Sequence, residues 1–502
     1  MALGLRATSL TWGLPYLYHP DEPITFLVIQ HMLKNHTLNP HFFRYPSLFF
    51  YLNAVVQLGH YAVCHALGIV HSLAELPELD VPIDGAGFTS LPSAFLAGRA
   101  LSTVAATATV WVSYRIGRTL SGDSRVGAVA ALLVAVSPVF LRHSRWLAPD
   151  GLASLAATAT VLASLKLLRY GRARDYVLAC LLAGAAASLK YNAAIVAVTI
   201  WAAAVLRDRR RFFRNPWFWA APFITGSAFL LTTPYAVLDF GGFWHDFMRE
   251  RTHYARGHAG AEGNTVAFYC SYLWSQEGAG SVLSLGGILL GLRRKDPGVA
   301  VLATFVAVYF AFINLFVTRN DQTIVPVVPT VLVLAAWFSV QCFVALEARF
   351  ARKVSKTTRS LAAAVLLLSL TAYPFRNSFA NARSLLRKDN RELARVWLEE
   401  HIAPHSRVVI ERYSCYIDRR RYQVKHTLTL SQLTPDWIRD HEDYAVVAGD
   451  TFSRFLQDSA RYRRQASRDR AFFRKFILMQ QFDDPRGGAE VRIYQTRPHR
   501  PQ

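Results

Sequence analysis

Long apolar runs separated by short, strongly basic segments organise most of the chain. No charged residue interrupts 298–318, 322–346 or 360–375. A helix needs about 20 residues to cross a hydrocarbon core of about 30 Å, so two of these runs suffice outright and the third nearly does. Five basic segments lie between such runs: Arg115, Arg118 and Arg125; Lys166, Arg169, Arg172 and Arg174; Arg207, Arg209, Arg210, Arg211 and Arg214; Arg293, Arg294 and Lys295; and Arg349, Arg352, Lys353, Lys356 and Arg359. Basic loops stay on the cytoplasmic side of a membrane, so each interval between them makes an even number of crossings.

The intervals divide at polar breaks. Residues 126–165 break at Arg142-His143-Ser144-Arg145-Trp146, 175–206 at Lys190, and 296–348 at Arg319-Asn320-Asp321. Residues 215–292 hold apolar runs at 216–233 and 278–292 around a polar loop. Each interval reads as a hairpin with its tip outside. It follows that 19–91, 234–277 and the hydrophilic tail 376–502 are external. Residues 1–18 form a short first span that contains Arg6 and has no signal-peptide pattern. The expected fold is a polytopic α-helical membrane domain over 1–375 with about eleven spans. In the tail, helical periodicity over 389–402 and β-rich runs at 408–411, 423–428, 444–448 and 491–494 predict a small α/β domain.

Composition agrees. The 502 residues are 52% hydrophobic and 18% charged, below the roughly 25% charge of soluble domains. The net charge of +22 resides in loops between apolar runs, so it reads as membrane orientation, and no nucleic-acid partner is expected. The five cysteines, Cys64, Cys180, Cys270, Cys342 and Cys415, form no compact motif.

The unusual polar residues all fall on the outer side. Asp21 and Glu22 follow the first run within His19-Pro20-Asp21-Glu22-Pro23. Neighbouring side chains on a helix diverge by about 100°, so one carboxylate alone can meet a given reacting atom. The alternative is that Asp21 caps the helix starting near Pro23. Arg142, His143 and Arg145 offer cations for an anion, against snorkelling to the interface, which does not account for Asp150. Lys190, centred in an apolar stretch, requires a cavity or a partner. Arg319 and Asp321 read equally as an internal pair. His245, Asp246, His253, His258 and Glu262 match no compact ligand spacing and suggest a solvated loop rather than a metal site.

The string HPDEPITFLVIQHMLKNHTLNPHFFRYPSLFFYL at 19–52 resembles bacterial membrane glycosyltransferases related to protein O-mannosyltransferases and lipid A aminoarabinose transferases. RHSRWLAPDGL at 142–152, SLKYNAA at 188–194, Gly98-Arg99, Pro326 with Pro329, and DNRELARVWLEEHI at 389–402 follow in the same order. The resemblance implies a GT-C fold in a bacterial inner membrane, a polyprenyl-phosphate-linked sugar donor, and a protein, lipid or polysaccharide acceptor. It implies catalytic roles for Asp21 as base, Glu22 and Asp150, and donor-phosphate contacts from Lys190, Arg145, His143 and Arg319. Gln322 and Thr323 stand where relatives often carry Arg-Tyr, which puts the phosphate clamp in question. Metal use varies among relatives; no cofactor is assigned, a divalent metal being the open alternative. From other classes, a transporter or lipid flippase lacks an inverted repeat here. A non-catalytic anchor for the tail would not require outward carboxylates.

Overall fold

A computed structural model describes residues 1–76, 79, 86–257, 259–350 and 355–497; Arg352, Lys353 and His258 lie outside them. Six helices are long and apolar enough to cross a membrane: Ser47–Ala66, Pro92–Ser121, Asp150–Tyr170, Tyr191–Arg214, Asp321–Phe350 and Lys356–Ser384. Ser124–Val136, Ala279–Arg293 and Pro297–Ile313 are shorter apolar helices. Their ends follow from local chemistry. Asp123 accepts from the Arg125 amide at 2.8 Å, and Asp296 from those of Gly298 and Val299 at 2.9 and 3.0 Å, the capping pattern that satisfies orphan amides. Gly122 and Gly171 close their helices with φ of 71° and 64°, a conformation that favours glycine. Small residues let helices approach closely: a Cβ on Gly184 would lie 2.5 Å from the Ala228 Cβ and 2.7 Å from the Thr225 carbonyl oxygen.

The bundle has two distinct ends. Arg207 donates to the Leu168 carbonyl at 2.9 Å, while Lys190 meets Asp150 at 2.6 Å. The chain therefore turns back at Lys190, and the stretch from Ala173 to Asp208 is a hairpin. At the Leu168 end, Arg125 and Arg359 each lie 3.5 Å from Glu347, Arg294 donates to Gln341 at 2.8 Å, and Arg169 and Arg207 line a notch of about 650 Å³. The described residues of the basic segments thus gather at one end, and the polar breaks of the intervals gather at the other.

Three sequence expectations are corrected. Residues 1–18 do not make a span: only Ala2–Ala7 is helical, and turns follow. Arg6 is fully buried, donating to the Val134 and Ala135 carbonyls at 3.2 Å each, because a guanidinium inside a helical bundle needs acceptors. The stretch 234–277 is not a loosely ordered loop but three helices, Tyr235–Leu238, Phe240–Arg256 and Thr265–Glu277; Asp239 caps the second by accepting from Gly242 at 3.2 Å. The segments 24–33 and Phe42 to Tyr51, expected along the interface, pack largely inward. Phe26, Ile29, Met32, Phe43, Phe49 and Phe50 are buried, leaving Ile24, Leu27 and His31 as the exposed stripe of the first segment.

The last long helix continues through residue 376 to Ser384, and the sheet domain's first helix is Asn390–His401. Five strands follow in the order Gln423–Thr427, Arg407–Glu411, Tyr444–Ala448, Val491–Gln495, Ile477–Phe482. The first three are parallel and the last two join antiparallel. Alternation on the pleat sends Val408 and Ile410 towards Ala394 and Leu398 on one face, and Val409 towards Phe452 and Phe472 on the other. The domain is seated on the residues preceding Asp21. Arg391 donates to the Tyr18 carbonyl at 3.2 Å, the Tyr18 hydroxyl to Glu392 at 3.2 Å, and Tyr416 packs 5.4 Å from Tyr16.

Candidate active site

The carboxylates cluster where helix starts meet at the non-basic end. Asp21 and Glu22 occupy the first turn of Asp21–Lys34, and Asp150 opens Asp150–Tyr170. Acidic groups are favoured there by the helix dipole. Asp21 does not cap its helix: Pro20 holds the cap position, with no side-chain bond.

The neighbours diverge. Glu22 is fully buried, accepting from Arg99 Nε at 2.8 Å, Arg99 Nη2 at 2.6 Å and the Leu147 amide at 2.9 Å. All its acceptor capacity is committed to a bidentate ion pair and to the Arg145-Trp146-Leu147 turn. Asp21 is half-buried; among the described residues it forms no ion pair, and Gln322 Nε2 donates to its Oδ2 at 3.4 Å. It keeps acceptor capacity for another proton donor.

Asp150 and Lys190 form a buried pair, and Lys190 Nζ also donates to the Gln322 carbonyl at 3.3 Å. The chain geometry explains this. Lys190 is extended between helix Ala173–Leu189 and the tight turn Tyr191–Ala197, so its side chain leaves the helix and crosses to the start of its neighbour. Gln322 therefore touches both acidic positions, with its side chain on Asp21 and its carbonyl on the partner of Asp150. On the far side Arg44, Lys190 and Arg249 act electrostatically on Glu250, as does Asp21.

The cationic residues separate into different situations. His143 Nε2 lies 3.3 Å and Arg142 Nε 3.8 Å from Asp321 Oδ2, to which Tyr272 donates at 3.3 Å. The expected internal pair of Arg319 with Asp321 does not form. Arg319 instead turns to the carbonyls of Ala261 and Gly260 at 3.4 and 3.5 Å, away from Asp21. Arg145 does not snorkel. It is fully buried, donating to Ser9 Oγ at 2.6 Å and to Asn381 Oδ1. Of the histidine-rich set, His245 pairs with Asp246 at 3.3 Å, Asp246 accepts from the Phe43 amide at 2.9 Å, and Glu262 accepts from Tyr462 of the sheet domain. Among the described residues no three His, Cys, Asp or Glu side chains converge as metal ligands.

Two participants were not assigned roles from sequence. Arg99 carried only a helix-opening signal, although an intramembrane arginine requires a counter-charge. Gln322 registered as a departure from a motif, and nothing in its neighbourhood along the chain points to Asp21, 301 residues away.

Apolar helices, a sheet domain and carboxylates grouped at one end define the class: a GT-C-fold membrane protein with an enzyme-like polar site. ArnT from Cupriavidus metallidurans bound to undecaprenyl phosphate is similar over 98% of this chain and 96% of its own, with 12% identity and a TM-score of 0.51. Its apo form is similar at 11% identity and TM-score 0.53, over 98% and 96% of the two chains. Archaeal oligosaccharyltransferase AglB from Archaeoglobus fulgidus, in complex with an inhibitory peptide and a dolichol-phosphate, is similar at 12% identity and TM-score 0.55, over 97% of this chain and 73% of that one. Residues 86–235 match the family model described as dolichyl-phosphate-mannose-protein mannosyltransferase. Compared by sequence with curated proteins, the chain has no significant match. Family match and fold together make this chain a glycosyltransferase of the protein-mannosyltransferase and ArnT type, and the transporter and anchor readings are set aside.

Proposed function

We propose that this enzyme moves a sugar from a polyprenyl-phosphate carrier to an acceptor hydroxyl on the outer side of a bacterial cytoplasmic membrane, with inversion at the anomeric carbon. The observation that carries the reading is the double contact of Gln322 with Asp21 and Lys190. It places an uncommitted carboxylate and a buried ammonium on one residue, as a single displacement requires. Asp21 takes the proton of the acceptor hydroxyl as oxygen attacks the anomeric carbon. The bond to the carrier phosphate breaks, and Lys190, held by Asp150, stabilises the charge left on phosphate oxygen. Arg44 and Arg249 extend the cationic side towards the bilayer. A phosphate is a good leaving group, so no acid is required opposite Asp21. Glu22 acts through Arg99 and the turn after Arg145, as a positioning residue. Support for the donor comes from the carriers bound to the similar proteins, undecaprenyl phosphate and dolichol-phosphate. The basic end, by the positive-inside rule, faces the cytoplasm.

Native mass spectrometry of the protein released from mild detergent tests this. A polyprenyl phosphate bound to the wild type is expected. Bulk phospholipid alone, across independent preparations, overturns the reading.

A further inference from the structure

A cavity of about 420 Å³ opens between the polar end of the bundle and the sheet domain. It begins at His19, Pro20 and Gln322, beside Asp21, and runs to Arg387 and Arg486 of the tail. It lies on the side of Asp21 away from Glu250 and Arg44.

Its charges do not balance. Arg142, Arg145, Arg387 and Arg486 line it against the carboxylates of Asp321 and Asp389. Asp321 is shared by Arg142 and His143, and Asp389 is taken up by Arg391 at 2.8 Å. Arg387 and Arg486 lean on Asp484, at 3.6 and 3.2 Å. Arg145 is the exception. Its protein partners, Ser9 and Asn381, are neutral, its Nε has no acceptor, and among the described residues it forms no ion pair. A buried guanidinium without a counter-charge is costly. The buried Arg6, held only by carbonyl oxygens, adds to the same field. The tail that closes the cavity is itself basic, with 25 Lys and Arg against 16 Asp and Glu over 376–502.

The wall is aromatic. Trp146 lies 5.0 Å from the His19 ring in a stacked arrangement and 5.1 Å from Trp12, with Tyr18 6.2 Å beyond. Flat, amphipathic faces of this kind suit the apolar face of a sugar ring, and a guanidinium fork suits a phosphate or carboxylate. A peptide acceptor would use the forks without requiring the rings.

We propose that this cavity is the acceptor site and that the acceptor is an anionic saccharide, whose phosphate or carboxylate sits on Arg145 and Arg142 while a neighbouring hydroxyl reaches Asp21. The inference rests on the glycosyl-transfer reading above and adds the substrate class to it.

Ligand-observed NMR on the full chain in nanodiscs, with glucuronate, glucose phosphate, glucose and a triaspartate peptide as probes, tests it, and undecaprenyl phosphate binding is measured in the same samples. Glucuronate and glucose phosphate are expected to bind about tenfold more tightly than glucose, the difference one charge-assisted contact makes, and more tightly than the peptide. Arg145→Gln and the solvent-facing Arg142→Gln should each remove that preference and leave carrier binding unchanged; Arg142→Gln keeps the test valid should Arg145→Gln not fold. Equal binding of glucose, or tighter binding of the peptide, overturns the anionic saccharide. Loss of carrier binding in either variant assigns the guanidinium groups to the donor and also overturns it. Failure of the wild type to bind the carrier at all sinks the glycosyl-transfer reading instead, whatever the sugars do.

Discussion

The two ends of the helical bundle use charge in opposite ways. At the basic end, side chains are numerous, mostly exposed and loosely engaged: Arg125, 52% exposed, reaches Glu347 only at 3.5 Å. Exposed pairs of this kind contribute little to stability, and their work is topological, through the side of the membrane they favour. At the polar end, charges are few, buried and tightly partnered, as in Arg99 with Glu22 at 2.6 Å and Lys190 with Asp150 at 2.6 Å. There the cost of desolvation makes every partner matter. Sequence counting draws attention to the first end, whereas the chemistry belongs to the second.

Substitutions at the polar end should have large effects, and the nature of each effect separates positioning from catalysis. Asp21→Asn is expected to lower transfer by about a hundredfold or more, the scale of general-base loss, with the thermal unfolding profile unchanged because no ion pair is broken; sugar transfer in reconstituted vesicles measures it. Near-normal turnover would remove Asp21 from the reaction. Glu22→Gln should instead act on folding, by about 3–5 kcal/mol, since it leaves Arg99 buried and unpaired. Monodispersity on size exclusion and the unfolding temperature report this, and the pair Glu22→Gln with Arg99→Met should recover much of it. A Glu22→Gln protein that folds normally yet does not turn over would make Glu22 catalytic.

The sheet domain gives an intermediate effect that depends on pH. Burial pushes the Asp469 carboxyl up to about 7 and the Glu411 carboxyl up to about 8. Folding keeps both neutral where the unfolded chain would ionise. The domain is therefore most stable below the ordinary carboxylate range, loses stability as pH rises, and levels off above the folded values, between pH 7 and 8. Asp469→Asn, whose Oδ2 has no hydrogen-bond partner, should stabilise the domain by on the order of 2–4 kcal/mol at pH 8 and scarcely at all at pH 4. Urea unfolding of the full chain followed by pulse proteolysis checks the slope. The smallest effect belongs to the basic end: Glu347→Ala should cost less than about 1 kcal/mol, and a larger loss in thermal unfolding would break the contrast between the ends.

What the sequence made legible follows the same division. Hydrophobic runs, their basic punctuation and four of the five tail strands could be read because each is a local pattern. The strand Ile477–Phe482 has only three apolar residues between Lys475 and Gln480, too short a run to stand out. The helix Phe240–Arg256 was read as loop because its polar and aromatic residues mask the period within a histidine-rich stretch. Lys190 could be flagged as needing a partner, but not given one: Asp150, 40 residues away, is chosen by how two helix ends meet. Arg319 shows the converse. Its proximity to Asp321 along the chain suggested a pair, and the backbone turns it to Gly260 and Ala261 instead.

The central claim is that Asp21 deprotonates an acceptor while a polyprenyl-phosphate sugar is bound beside it. Native mass spectrometry of wild type and Asp21→Asn, purified side by side from the same host, addresses both halves at once. The account predicts polyprenyl phosphate without sugar on the wild type and the glycosylated carrier retained on Asp21→Asn. The same carrier species on both proteins, or none on either, would contradict it.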